Sequence, residues 1–197
     1  QINIIGNEKF SDGDLKSEMA TKESKLTTIL SSNTSYDPDR LAYDQQKLRL
    51  FYLQNGYADF RVISAVAELT SNKQDFIITY VVEEGERYKF GDVEVKSELR
   101  DFQPELLKTL LPMKAGDWYD AKLVEDTVES LSETAGLFGY AFADINPEFR
   151  RDAEARTMKI TFNVAESPRT YVERIDVNGN TLTHDKVVRR EFRLNEG

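Results

Sequence analysis

The sequence predicts an α+β fold in which one small β-α-α-β-β unit occurs twice in tandem. Three observations carry that reading. Gly-Tyr-Ala stands at Gly56-Tyr57-Ala58 and again at Gly139-Tyr140-Ala141, each time closing a helical segment and opening a strand-like one. Helical and strand periodicities follow the same order on either side of Gly85, and repeats of this kind decide a fold before any single element does. Finally, Met158, Ile160, Phe162 and Val164 alternate with Lys159, Thr161 and Asn163, the pattern of a sheet with one wet face.

The first unit opens on "INII" (Ile2 to Ile5), a short apolar strand stopped by the turn dipeptide Gly6-Asn7. Ser11 is placed to cap a short helix running to about Met19. The polar "TTILSSNTSYD" reads as a loop. A long helix follows, with Asp37 as its cap, Pro38 at its first position and Gly56 just past its end. Leu41, Leu48, Phe51 and Tyr52 form its apolar stripe. Two strands complete the unit, Tyr57 to about Leu69 and Phe76 to Glu83, joined by the hairpin "TSNKQD". Phe60 and Val62 share one parity, whereas Ile63, Ala65 and Ala67 occupy the other. A β-bulge near Ser64-Ala65 would bring Ala65, Ala67 and Leu69 to the core face beside Phe60.

The second unit repeats this order. "KFGDVEV" is a strand, "QPELLKTLL" a short helix and "KAGDWYD" a loop in which Trp118 and Tyr119 read as packing anchors. Asp120 caps a long helix carrying Val124, Val128, Leu131 and Ala135 at helical spacing. Gly139 ends it, Ala141 to Phe149 is a strand, and "RRDAEAR" turns the chain into "MKITFNV". A third copy then begins: "IDVNGN" (Ile175 to Asn180) matches "INIIGN", and Thr183 would cap its first helix. A strand and one helix cannot close a core alone, so this segment is expected to pack on the second unit, swap into a neighbouring molecule or stay mobile. The expected domains are residues 1–85, 86–168 and 169–197. Glu84, Gly85, Glu86 and Arg87 form one hinge, and Ser167, Pro168 and Arg169 the other; such short linkers permit only limited motion.

Composition narrows the function. With 26 basic and 35 acidic residues the net charge is −9, which supplies no counterion-release drive toward nucleic acid. The absence of cysteine removes disulfides and thiolate chemistry. No apolar run reaches the roughly 20 residues that span a bilayer. The chain opens on a strand with no signal peptide, as an excised piece would. His184 is the only histidine, beside a helix cap, and reads as solvated. Glu83-Glu84, Asp117, Asp120 and Glu125-Asp126 offer paired carboxylates. They read as solvated charge, with a carboxylate hydrolase as the rival from another class. No cofactor motif is present.

Four stretches carry a resemblance: "INIIGNEKFSDGDL", "YDPDRLAYDQQKLRLFYLQNGYADFRV", "VVEEGERYKFGDVEV" and "VERIDVNGN…VVRREFRLNEG". They resemble the POTRA (polypeptide-transport-associated) repeats of the BamA family of outer-membrane-protein assembly factors, closest to the third and fourth repeats plus the start of the fifth. The resemblance implies two helices on a three-stranded sheet in each unit, without catalysis or cofactor. It also implies a place at the periplasmic face of the outer membrane, ahead of the protein's own membrane-embedded β-barrel. The implied partners are unfolded outer-membrane clients and accessory assembly lipoproteins. Related transporters of the TamA or two-partner-secretion kind are an alternative, and an inert spacer a third. In this family the first strand of each hairpin is an exposed edge. That places the binding edges at Arg61, Val62, Ile63, Ser64, Ala65 and Val66, and at Phe142, Ala143, Asp144 and Ile145. Unpaired N–H and C=O groups there would accept an extended chain by β-augmentation.

Overall fold

The structure, a computed structural model, describes residues 1–23, 38–71, 75–100, 102–140, 142–166 and 187. The first unit comprises β1 (Ile2–Ile5), α1 (Asp12–Glu18), α2 (Pro38–Gln54), β2 (Arg61–Leu69) and β3 (Phe76–Glu83). The second comprises β4 (Lys89–Ser97), α3 (Pro104–Leu110), α4 (Ala121–Leu137), β5 (Ala143–Asp152) and β6 (Thr157–Glu166). Both have the order β-α-α-β-β. Asp37, Ala141, Ser167, Pro168, Arg169, Thr183 and His184 lie outside the described residues, as does the third copy apart from Val187.

In each unit the last strand lies in the middle of a three-stranded sheet, with orders β1-β3-β2 and β4-β6-β5. β1 runs parallel to β3, pairing Ile4 with Tyr80, and β4 runs parallel to β6, pairing Val95 with Phe162. A parallel pair needs a long crossover, which the two helices and the first hairpin strand supply. β2 and β5 close the hairpins in antiparallel fashion and form one border of each sheet.

Local chemistry explains the helices. Ser11 caps α1 in a capping box: its Oγ accepts from the Asp14 amide at 3.2 Å, and the Asp14 carboxylate accepts from the Ser11 amide at 3.3 Å. The Asp120 carboxylate caps α4, accepting from the amides of Lys122 at 2.8 Å and Leu123 at 3.3 Å. Leu48 and Tyr52 of α2 are buried, with Leu41 and Phe51 packed beside them; Val124, Leu131 and Ala135 do the same for α4. Asp44 departs from the apolar stripe. It is fully buried and accepts from the amides of Ala20 (2.5 Å) and Thr21 (3.2 Å), tying the segment after α1 to α2.

Two strand expectations change. Tyr57 to Phe60 is a turn instead of the start of β2: the Tyr57 amide donates to the Tyr52 carbonyl and the Phe60 amide to that of Tyr57. Both rings are thereby buried against α2, with Phe60 stacked on Tyr52 at 4.0 Å. The bulge falls at Ile63, slightly before the expected position, since Val62 pairs with Val82 and Ser64 with Val81. Ala65 and Ala67 do return to the core side, whereas Leu69 stays half exposed at the end of the strand.

Candidate functional site

Every three-stranded sheet has two borders, and the four borders here differ. At β1 the Ile2 amide donates to the Glu23 carboxylate at 2.7 Å. That hydrogen bond, with help from Lys16, holds the Glu23 carboxyl below its ordinary range. At β4 the protein's own loop lies along the first residues. The Phe90 amide donates to the Asp117 carbonyl at 2.8 Å, Gly116 donates back to Phe90 at 2.8 Å, and Tyr119 donates to Tyr88 at 3.1 Å. These two borders are partly occupied from within.

β2 is different. Among the described residues, no backbone hydrogen bond reaches Arg61–Leu69 from outside the pairing with β3. Arg61 is held by Glu83 across the strand at 2.6 Å, and Val62 and Ala65 face the core. Ser64 is half buried. Ile63 and Val66 face outward, 54% and 49% exposed. The border therefore offers unpaired main-chain groups flanked by apolar side chains, with a bulge at one end that bends the strand.

β5 is also a free border, but a blunted one. Its pairing with β6 is regular from Ala143↔Glu166 to Asp152↔Thr157. Pro147 sits in its middle; proline within a sheet is confined to borders, its missing N–H on the open side. Glu148 and Arg150 pair with each other at 3.0 Å on the exposed surface nearby. Asp144 accepts from Asn146 at 2.9 Å, Ala143 packs on the core, and Ile145 is buried. Phe142 precedes the strand instead of belonging to it, because the turn closes by the Ala143 amide donating to Tyr140; its ring is 68% exposed. Pro147 was legible in the sequence as a strand proline and is the residue that separates the two borders.

The segment 84–88 between the units is tied to residues on both sides. Glu84 is buried and belongs to the first unit, accepting from the Tyr52 hydroxyl at 2.7 Å and the Lys9 amide at 3.1 Å. Gly85 takes a positive φ of 71°, and a Cβ there would stand 2.7 Å from that of Asp59, so only glycine turns the chain here. Arg87 Nε donates to the Asn55 carbonyl at 2.9 Å, and its guanidinium lies 4.1 Å from the Trp118 ring. The Tyr88 amide donates to the Gly56 carbonyl at 2.9 Å, and its hydroxyl to Asp59 at 2.8 Å. Arg151 from β5 also pairs with Asp59. Burial, then the Asp59 bond, raises the Tyr88 phenol above its usual range. Tyr119 is the buried anchor of its loop, whereas Trp118 is half exposed and clasped by Arg87 and Lys89. Glu86 leaves the joint for Arg156 at 3.1 Å.

Most of the carboxylates singled out by sequence have local partners. Glu83 pairs with Arg61, Glu84 with Tyr52, Asp126 with Lys122, and Asp117 accepts from the Lys114 amide at 3.0 Å. Among the described residues no group of three or more acids or histidines is gathered as for a metal ion, and no helix is long and apolar enough to cross a membrane.

Comparison with known proteins places the same units. The POTRA family, described as a surface antigen variable number repeat, matches residues 1–85 and 88–167. "Outer membrane protein assembly factor BamA" of Neisseria meningitidis serogroup B is 30% identical over 195 residues, covering 99% of this chain and 24% of the relative. The protein of the same name from Neorickettsia risticii is 28% identical, covering 99% of this chain and 26% of the relative. The chain thus spans about a quarter of the length of these curated relatives. Among solved structures, Haemophilus influenzae BamA POTRA3-5 matches with a TM-score of 0.68 at 24% identity, covering 100% of this chain and 76% of the other.

Proposed function

This chain belongs to the POTRA family, and we propose from that premise that it is the periplasmic arm of an outer-membrane-protein assembly factor. Its task is to hold extended segments of unfolded outer-membrane clients by strand addition to β2, with accessory assembly proteins docking on the same arm. The full-length relatives named as assembly factors support this reading. One observation carries the binding mode: β2 has unpaired main-chain groups beside exposed Ile63 and Val66, while the β1 and β4 borders are partly occupied from within and β5 carries Pro147.

Main-chain pairing accounts for tolerance of many sequences, because backbone groups are alike in every client. It also sets the strength. Four to six bonds at about 1 kcal/mol net each, reduced by the entropy of association, give a dissociation constant on the order of 1 mM. Weak holding suits a device that must release what it carries.

The test is photocrosslinking from Ile63 and Val66, and from Asp144 as the comparison, in living cells. The reading expects adducts with unfolded outer-membrane proteins from the β2 positions and few from Asp144. Equal yields at all three positions would overturn strand addition at β2, and adducts at none would leave the arm an inert spacer.

A further inference from the structure

The two units differ in how the stretch after the short helix meets the long helix. α1 and α3 are both 7 residues long, and α2 and α4 both 17, so the internal repeat aligns each pair without a gap. Asp44 then corresponds to Thr127, Ala20 to Pro112 and Thr21 to Met113. In the first unit the buried Asp44 carboxylate accepts from the amides of Ala20 and Thr21, which draws that stretch onto α2. In the second unit that fastening is missing. Pro112 has no amide to give, and the Thr127 hydroxyl donates within its own helix, to the Leu123 carbonyl at 2.6 Å. Thr134 likewise donates to the Ser130 carbonyl at 2.7 Å.

A groove of about 260 Å³ lies there between α3 and α4, floored by Leu107, Leu111 and Leu131 and edged by Asp126 and Ser130. Small-molecule sites usually run from roughly 300 to 1,000 Å³, so this space suits one or two side chains of a peptide. Its rim is acidic. Asp126, Glu129 and Glu133 follow one another at intervals of three and four residues, along the flank of α4 that borders the groove. Asp126 holds Lys122 at 2.7 Å, but among the described residues Glu129 and Glu133 have no ion-pair partner. Like charges one turn apart repel and weaken a helix. A cation laid across them relieves that repulsion.

We propose that this groove is a docking site for a cationic amphipathic helix of a partner protein. One or two leucine-sized side chains seat on Leu107, Leu111 and Leu131, and lysine or arginine lies along Asp126, Glu129 and Glu133. Apolar anchors four residues apart with charge beside them are the helix-in-groove mode of recognition. The site is separate from strand addition at β2 and stands whether or not clients pair there. It also belongs to the second unit alone, because the Asp44 fastening occupies the equivalent place in the first.

The test is fluorescence anisotropy of the 197-residue chain with a labelled helical peptide of about 15 residues, carrying two leucines four apart and lysines along the adjacent flank. The expected result is saturable binding that falls about tenfold when serine replaces the two leucines. Ser130→Trp, which fills the groove from an exposed position, weakens binding by a similar factor. Glu129→Lys with Glu133→Lys weakens binding of the lysine peptide and strengthens binding of a glutamate version above that of the parent. High salt narrows the gap between parent and reversed chain. All three positions are exposed, so circular dichroism should be unchanged in these variants. A lysine peptide that binds no better than its serine control would overturn the proposal. Binding that ignores Ser130→Trp, or charge reversal that does not exchange the preferred peptide, would do the same.

Discussion

At the scale of single residues, Glu84 and Tyr52 show how a long-range polar contact fixes the first unit. The Glu84 carboxylate accepts from Tyr52 at 2.7 Å and from the Lys9 amide, and both side chains are buried. Glu84→Ala would strand a buried hydroxyl and an amide, at a cost of about 1–3 kcal/mol. We expect its urea midpoint to fall by a corresponding amount, with the second unit less affected. Burial first, then the Glu84 bond, raises the Tyr52 phenol far above its ordinary value. Below a pH of about 10 folded and unfolded chains both keep that proton. Above it only the unfolded chain releases it, so stability declines as pH rises. Tyr88 and Tyr119 shift in the same direction. Urea titrations at about pH 8 and about pH 11 should therefore differ, and Tyr52→Phe should shrink the difference. An unchanged alkaline limb in that variant would remove Tyr52 from the account.

At the scale of elements, two strands in equivalent places are finished differently. Ile63 is the extra residue of the β2 bulge, and the residues on either side of it alternate correctly between core and solvent without it. Deleting Ile63 should thus leave a folded unit with a straighter, longer free border. Such borders invite pairing between molecules, so sedimentation should show stronger self-association than in the parent. Conversely, Pro147→Val restores a missing main-chain donor to β5. It should raise crosslinking to extended peptides from Asn146 toward the level expected at Val66; no gain would mean that the charges around Pro147 do the blunting. These strands also show what the sequence could convey. Ser11, Asp120 and the alternation of β6 were legible because caps and periodicity act over a few residues. The bulge was legible as a clash of parities, but its position was not, since the partner strand fixes register. Tyr57 and Phe60 read as strand because both are aromatic, whereas burial against Tyr52 folds them into a turn. The roles of Glu84, Asp44 and Asp59 each depend on a partner distant in sequence or in the other unit, and no local motif announces them.

At the scale of the whole molecule, the joint decides whether the two units move as one. Asp59 of the first unit holds Tyr88 and Arg151 of the second, Gly56 and Asn55 hold the intervening backbone and Arg87, and Ala58 packs against the second core. The ion pair to Arg151 is half exposed and contributes at most about 1 kcal/mol, whereas the bond from the buried Tyr88 hydroxyl is the larger part. Asp59→Ala removes both while leaving each core intact. Because the chain has no cysteine, labels placed by Glu18→Cys and Glu129→Cys report the distance between units without interference. The parent should give one narrow distance distribution, and Asp59→Ala a broad one with unchanged circular dichroism. High salt should loosen the parent only slightly, because the Tyr88 bond and the apolar contact of Ala58 survive screening. A narrow distribution in Asp59→Ala would mean that Arg87, clasped between Asn55 and Trp118, suffices to hold the joint, and that Asp59 merely decorates it. If the distribution does broaden, the β2 border is carried at a fixed angle to the second unit by a single carboxylate. A client bound on β2 would then be presented in one direction instead of being swung freely on a tether.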